Sequence, residues 1–321
     1  MADVNQAALD FLYKSANNKY QGAFDKAQNW YQDICFVNPV STRQEIYAWT
    51  DRVARFRKWR GARQINGVTT HAQTVTNEIF ELTVEISARD VRDNNLNLFG
   101  TTATSVGRQS KKWPDVQVAD FIRHAASTAV KDGAIGYDGV PFFSASHPIN
   151  GGDVDGGPAG NQSNLVLNTA LSATAIETAV ATMESWVGVD GLPLGVSPKV
   201  LMVPPQLRAT AQRIVEAEFV PNTAGTATQT NVNKGLVKVM VNPELADQPN
   251  NWWLLDTEGD VMPFLWQLRM APDFVFLNKP TDWNVVSTNQ FIFASQAEGA
   301  AAGTLWFYAY AGTSESAYVH T

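Results

Sequence analysis

Residues 77–87 read NEIFELTVEIS, and no other stretch restricts the fold as tightly. Phe80, Leu82, Val84 and Ile86 alternate with Glu81, Thr83, Glu85 and Ser87. Successive side chains of a strand point to opposite faces, so this period of two predicts a β-strand with one buried and one wet face. The preceding segment has the opposite charge. TDRVARFRKWRGARQ carries Arg52, Arg55, Arg57, Lys58, Arg60 and Arg63, interleaved with Phe56 and Trp59, and has no acid after Asp51. With a bend at Gly67-Val68, residues 50–87 read as one long β-hairpin. Its approach strand is basic, and its return strand is acidic on the outer face.

The flanking segments differ in character. Before the hairpin, Leu9, Leu12, Tyr13 and Ala16 recur at helical spacing, as do Phe24, Ala27, Trp30 and Tyr31. These short apolar stripes suit either a cap on a core or an arm packed on a neighbouring subunit. After it, residues 88–131 read as helical with a break at Trp113-Pro114. Proline is tolerated in the first turn of a helix, so Pro114-Asp115 is expected to open a second helix bearing Val118, Phe121, Ile122, Ala125 and Ala129. A glycine-rich loop runs from Asp132 to Gly160. From about Leu165 the pattern becomes α/β: a helix with capping-box spacing at Thr174 and Glu177, a buried strand at Val200–Val203, a helix opened by Pro204-Pro205, and a strand at Leu236–Val241. The remainder is strand-rich, through NWWLLD, MPFLWQL, FVFLN, NQFIFASQ and LWFYAYAG.

Charge and composition exclude several classes. Among 321 residues, 24 are basic and 31 acidic, a net charge of −7. Six basic residues fall within 52–63, so the rest of the chain carries 18 against 31. Duplex binding depends on neutralising phosphates, and this balance argues against a protein whose main task is gripping nucleic acid. It is compatible with enclosing DNA behind a mildly acidic wall. Cys35 is the only cysteine, which excludes an internal disulfide and a Cys-based zinc site. Residues 1–30 lack the basic start and apolar run of a signal peptide, and no later stretch reads as a membrane span. A soluble product made in the cytoplasm is expected. Hydrophobic residues make up 45%, enough for a real core, and ten tryptophans suit surfaces that meet other chains.

Candidate catalytic groups are few. Of His71, His124, His147 and His320, no two have metal-ligand spacing. His147 in SASHP is the most plausible base, for Ser144 or Ser146, but nucleophile-elbow and SxxK patterns are missing and no supporting acid is evident. A loop-structural role is therefore expected, and His147→Ala should give at most a local loop defect. Asp153, Asp155 and Gly156 resemble the opening of a calcium loop, but Asn164 stands where the bidentate glutamate belongs. Asp90 and Asp93, with Arg89 and Arg92, read as a charged helix start. No phosphate-cradling glycine loop is present. The basic run admits two readings, stacking and gripping nucleic acid or pairing with acids of a sister subunit, and the acidity of the rest favours the second.

Taken in order, these pieces resemble the major head subunits of Mu-like phages. The resemblance rests on WRGAR, NEIFELTVEI, SARDVRDNNLNLFG, YDGVPFFSASHP, GLPLGVSPKVLMVPPQLRATAQRIVEAE, and NWWLLD followed by MPFLWQLR. It implies an α+β chain with the Hong Kong 97 type capsid fold: an N-terminal arm (1–49), an extended β-hairpin loop (50–87), a peripheral domain with a spine helix around 102–131 (88–164), an axial domain (165–275), and C-terminal strands completing the peripheral domain (276–321). It further implies pentamers and hexamers of the chain itself, forming a head that encloses double-stranded DNA without specific binding. Separate scaffold, protease and portal proteins would be partners during assembly, a decoration protein a further one, and no membrane, cofactor or metal would be involved. The chain would be made in the host bacterial cytoplasm and end in the virion. Arg52, Arg55, Arg57, Lys58, Trp59, Arg60 and Arg63, with Glu81 and Glu85, are the expected subunit-interface residues. Two alternatives stay open at this point: a cellular nanocompartment shell of the encapsulin type, and a monomeric hydrolase using His147 and Ser144.

Overall fold

The computed structural model describes residues 6–50, 70–92, 96–127, 134–150, 159–189, 191–221, 228–259, 261–279 and 281–318. Helix α1 (Gln6–Lys26) leads through a 3-10 turn (Tyr31–Asp33) into strands β1 (Cys35–Pro39), β2 (Gln44–Thr50), β3 (Thr70–Thr76) and β4 (Glu78–Ser87). A short α2 (Ala88–Arg92) precedes the long α3 (Leu96–His124). Strands β5 (His147–Asn150) and β6 (Ala159–Gln162) pair with each other, and β7 (Leu165–Val166), α4 (Ala173–Ser185), β8 (Val200–Val203) and α5 (Arg208–Val215) follow. Then come the paired β9 (Phe219–Pro221) and β10 (Thr228–Thr230), β11 (Lys238–Val241), β12 (Asn251–Leu255), β13 (Phe264–Met270) and β14 (Val275–Leu277). The chain closes with α6 (Trp283–Thr288), β15 (Gln290–Gly303) and β16 (Ala309–Thr313).

Two larger sheets organise this α+β chain. The first has the order β1-β13-β15-β14, with β4 on the free side of β15; the second has the order β11-β8-β12-β16-β7. Helix α3 lies on the inner face of the first sheet. Trp113 meets Trp266 edge-on at 4.9 Å, Phe121 meets Phe264 at 6.0 Å, and Ser110 donates to Ser295 at 3.3 Å. One apolar core continues into the second sheet, whose strand β12 buries every residue, including Trp252 and Trp253. A strand covered on both faces reads as an unbroken apolar run, which is why NWWLLD shows no alternation. Tyr318 fastens the C-terminal segment: its hydroxyl accepts from Trp253 Nε1 (3.0 Å) and donates to the Ile122 carbonyl (2.9 Å). Burial pushes that phenol far above its ordinary pKa, so it stays a donor.

Four expectations need correction. Pro114 does not open a second helix; it lies inside the continuous α3. A mid-helix proline removes one rung and crowds the carbonyl four residues back. Contacts from the 29–31 segment and from the Trp113–Trp266 pair hold the helix through it. Second, NEIFELTVEIS is not the return strand of the hairpin. The hairpin is β2 with β3, from Gln44↔Thr76 to Thr50↔Thr70, whereas β4 pairs with β15 from Glu78↔Gly299 to Ser87↔Gln290. Third, the division at 275/276 does not follow the sheets. Strands β13 and β14 belong to the first sheet, and β16 crosses to the second, pairing with β12 from Asn251↔Thr313 to Leu255↔Ala309. Fourth, the cap of α4 is Ser172, whose hydroxyl accepts from the Ala175 N–H (3.1 Å), while Glu177 accepts from Asn233 at 2.6 Å.

Candidate assembly surfaces

The first surface is the joint between the N-terminal segment and α3. The 3-10 turn at Tyr31 has no cap of its own, and Asp115 supplies one from α3: its Oδ1 accepts the N–H groups of Trp30 (3.1 Å) and Tyr31 (3.0 Å). In return, Asn29 Nδ2 donates to the Lys111 carbonyl (2.7 Å), in the turn that Pro114 disturbs. Trp30 Nε1 donates to Glu244 Oε2 (3.2 Å), and Lys112 Nζ lies 3.5 Å from Glu244 Oε1. Asp115 is buried, and its pKa is pushed up to about 6; burial is the main cause, with Glu244 adding repulsion against the pull of the N–H donors. Burial also pushes the Cys35 thiol well up, so this lone cysteine is a packing group here. Nothing in the sequence pattern marks Asp115, because its partners lie more than eighty residues away.

The second surface is the hairpin and the face it leaves uncovered. β2 and β3 lie over the outer face of β13 and β15: Val75, Leu265 and Ala302 form a small core there, and Tyr47 donates to Gln267 Oε1 (2.7 Å). The β4 end of that face is open. Glu81 and Glu85 are exposed on it, with Thr83 between them and Ile79 67% exposed at its edge. The other parity of β4 points inward, with Phe80 against Trp113 at 5.3 Å. The alternation therefore places both glutamates on the wet face, as expected, but on the body sheet and not on the hairpin. Arg52, Arg55, Arg57, Lys58, Trp59, Arg60 and Arg63 lie outside the described residues, as do Asp153, Asp155 and His320.

The third feature is His147, which is fully buried and stacked on Trp306 at 4.3 Å. A supporting acid does exist: Nδ1 lies 2.6 Å from Asp138 Oδ2. The other nitrogen, Nε2, lies 3.0 Å from Asn164 Oδ1. Asn164 in turn accepts from the Ser144 N–H and donates to the Phe142 carbonyl, both at 2.8 Å. Ser144 Oγ accepts from the Ser146 N–H. Both ring nitrogens are thus engaged, and neither serine hydroxyl is given a base. The Asp-Gly turn at 138–139 was the signal for the missing acid; Gly139 has φ +80°. A cavity of about 330 Å³ lies nearby, between Trp49, His71, Tyr137 and Trp306. Among the described residues, no acid, serine or cysteine lines it. No group of three or more metal-ligating side chains occurs, and no helix is long and apolar enough to cross a membrane, among the described residues.

Comparison with known proteins bears on these surfaces. The chain is 31% identical over 170 residues to the major capsid protein of Escherichia phage Mu, covering 53% of each chain. It is 26% identical over 165 residues to the Mu-like prophage FluMu major head subunit of Haemophilus influenzae, covering 51% of each. The matched stretch spans about half the length of these curated relatives. In three dimensions it resembles a subunit of the procapsid of bacteriophage JBD30, with a TM-score of 0.58 at 22% identity over 96% of this chain and 76% of that one. A subunit of the cyanophage P-SCSP1u capsid gives 0.55 at 10% identity, over 89% and 88%. The fold is thus the capsid fold of the Hong Kong 97 type. The model of the Mu-like prophage major head subunit gpT matches residues 9–170, 165–245 and 242–317 in order, and the chain belongs to that family.

Proposed function

We propose that this chain is the shell-forming subunit of a Mu-like phage or prophage head: a structural protein that assembles with copies of itself into pentamers and hexamers. The family match along nearly the whole chain carries this reading. Two further observations support it. Among the described residues, the hairpin strands β2 and β3 pair only with each other and pack over the first sheet without joining it, as suits a loop carried on the body. His147 also lacks a free nitrogen for catalysis. Rings of five and six copies use contacts that close by rotation, and many modest contacts together hold a shell. The head would enclose double-stranded DNA, with scaffold, protease, portal and decoration proteins as separate partners. Synthesis would take place in the bacterial cytoplasm.

In this reading the N-terminal segment serves as an arm, the hairpin as an extended loop, the first sheet with α3 as the peripheral domain, and the second sheet as the axial domain. The basic run at 52–63 docks on the open acidic face of a sister subunit, where Glu81 and Glu85 stand exposed. An exposed pair contributes only about 0.2–1 kcal/mol, so a single change should be silent. Repeated around every ring, reversal of two charges is not. Arg57→Glu with Arg60→Glu should give folded subunits that assemble poorly and are partly rescued by salt, which screens the new repulsion. Normal shells with lowered nucleic-acid content would assign the run to nucleic acid instead; normal shells with unchanged content would leave it a solvated face.

A further inference from the structure

A groove of about 600 Å³ runs between α1 and α3, and its rim is cationic. Lys19 and Lys26 stand on α1, Arg108 and Lys112 on α3, and no carboxylate lines it. This is unexpected in a chain of net charge −7. The floor consists of Gly22, Ala23 and Ala27, so nothing bulky fills the channel between the two cationic edges. The helices come close because position 107 is glycine: a Cβ there would collide with the Tyr20 carbonyl. Lys19, Lys26 and Arg108 are exposed and make no ion pair among the described residues. Lys112 is 46% exposed and shares its charge with Glu244 at 3.5 Å. Another cation of α3, Lys111, sits over the Phe24 ring at 4.9 Å, and the exposed Asp25 of α1 is not among the lining residues.

We infer that this groove holds the sugar-phosphate backbone of double-stranded DNA, without reading its sequence. The inference rests on the shell reading, which supplies the DNA. The spacing of the charges favours a regular polyanion. Lys19 and Lys26 are two helical turns apart, about 10 Å along α1. One DNA strand carries a phosphate every ~3.4 Å of axis, so the α1 edge spans about three phosphates and the shorter α3 edge, about 6 Å, about two. Arg108 and Lys112, one turn apart on α3, face the same channel. The groove is open and has no buried polar group aimed into it, so it offers a small free anion little beyond charge. An extended backbone can engage all four cations at once. Such binding is positional and salt-sensitive, which lets a shell hold DNA in place without fixing its register.

The test uses the full-length subunit and a fluorescein-labelled duplex of mixed sequence, with anisotropy measured across a salt series. Four engaged cations predict a slope of log K against log salt of about −3.6, roughly a hundredfold loss between 50 and 200 mM. Lys19→Gln with Arg108→Gln should reduce the slope by about 1.8. Arg57→Gln with Arg60→Gln, in the basic run, should leave the groove's share intact. The inference is overturned if the groove variant keeps the full slope, if only the basic-run variant loses it, or if no duplex binding occurs at the lowest salt. A groove variant that loses poly-glutamate binding but keeps DNA binding would also overturn it, by assigning the channel to an acidic protein. Circular dichroism of each variant separates lost binding from lost folding. Electron micrographs of the same samples keep the two readings apart: shells without the predicted DNA effect defeat the groove alone, whereas the absence of any ring or shell defeats the shell reading.

Discussion

Replacing Asp115 by asparagine should stabilise the isolated subunit at neutral pH, because the carboxylate is held where its charge is unwelcome. Its pKa moves from 3.8 to about 6, chiefly through burial. The folded chain therefore binds this proton more tightly than the unfolded chain does. Between about pH 4 and pH 6 the folded state holds more protons, so this group's contribution to stability falls as pH rises, and levels off above about 6. At about 1.4 kcal/mol per pH unit, the gap amounts to at most about 3 kcal/mol. Asparagine keeps an oxygen for the Trp30 and Tyr31 N–H groups, and its amide nitrogen takes the place of Oδ2, which accepts from Asn29 Nδ2 only at 3.4 Å and loses that role equally when the acid is protonated. The variant should match the wild type near pH 4 and exceed it by about 1–3 kcal/mol at pH 8. Urea unfolding followed by tryptophan fluorescence, at five values between pH 4 and pH 8, measures the difference. A difference that stays flat with pH, or a variant that loses stability as pH rises, would refute the reasoning.

Two other outcomes are expected. His147→Ala leaves the buried Asp138 carboxylate without its partner and should cost about 3–5 kcal/mol, a global loss of stability and not a local loop defect; a variant within about 1 kcal/mol of wild type in the same assay would contradict the buried pair. Gly312→Ala places a methyl against the buried Trp252 ring and should cost at least about 1–3 kcal/mol, checked by the shift in thermal midpoint; an unchanged midpoint would show slack that the packing does not contain.

The sequence made local patterns legible and long-range partners illegible. The alternation in β4 was visible because one face is wet and the other packs on α3, and period two records that difference. Its partner was not visible, since β15 lies about two hundred residues on and a register carries no local mark. A basic segment just upstream made a hairpin the economical reading, whereas the true hairpin strands, QEIYAWT and THAQTVT, lack clean alternation. Pro114 misled for a similar reason: the local rule ends a helix there, and the contacts that carry α3 through come from Asn29, Trp30, Tyr31 and Trp266. Only the second half of LWFYAYAG is a strand: Trp306–Tyr308 form a 3-10 turn, and the place of β16 in the second sheet depends on β12, which lies more than fifty residues upstream. Asp138 was missed as the acid beside His147 because it sits nine residues away across a glycine turn.

The claim that this chain builds a shell is tested most directly by one micrograph. Purified full-length subunit, concentrated at physiological salt and imaged in negative stain, should show rings of five or six copies, closed shells, or tubes made from them. A field empty of such particles, with sedimentation of the same sample giving a single stable monomer at micromolar concentration, would contradict it.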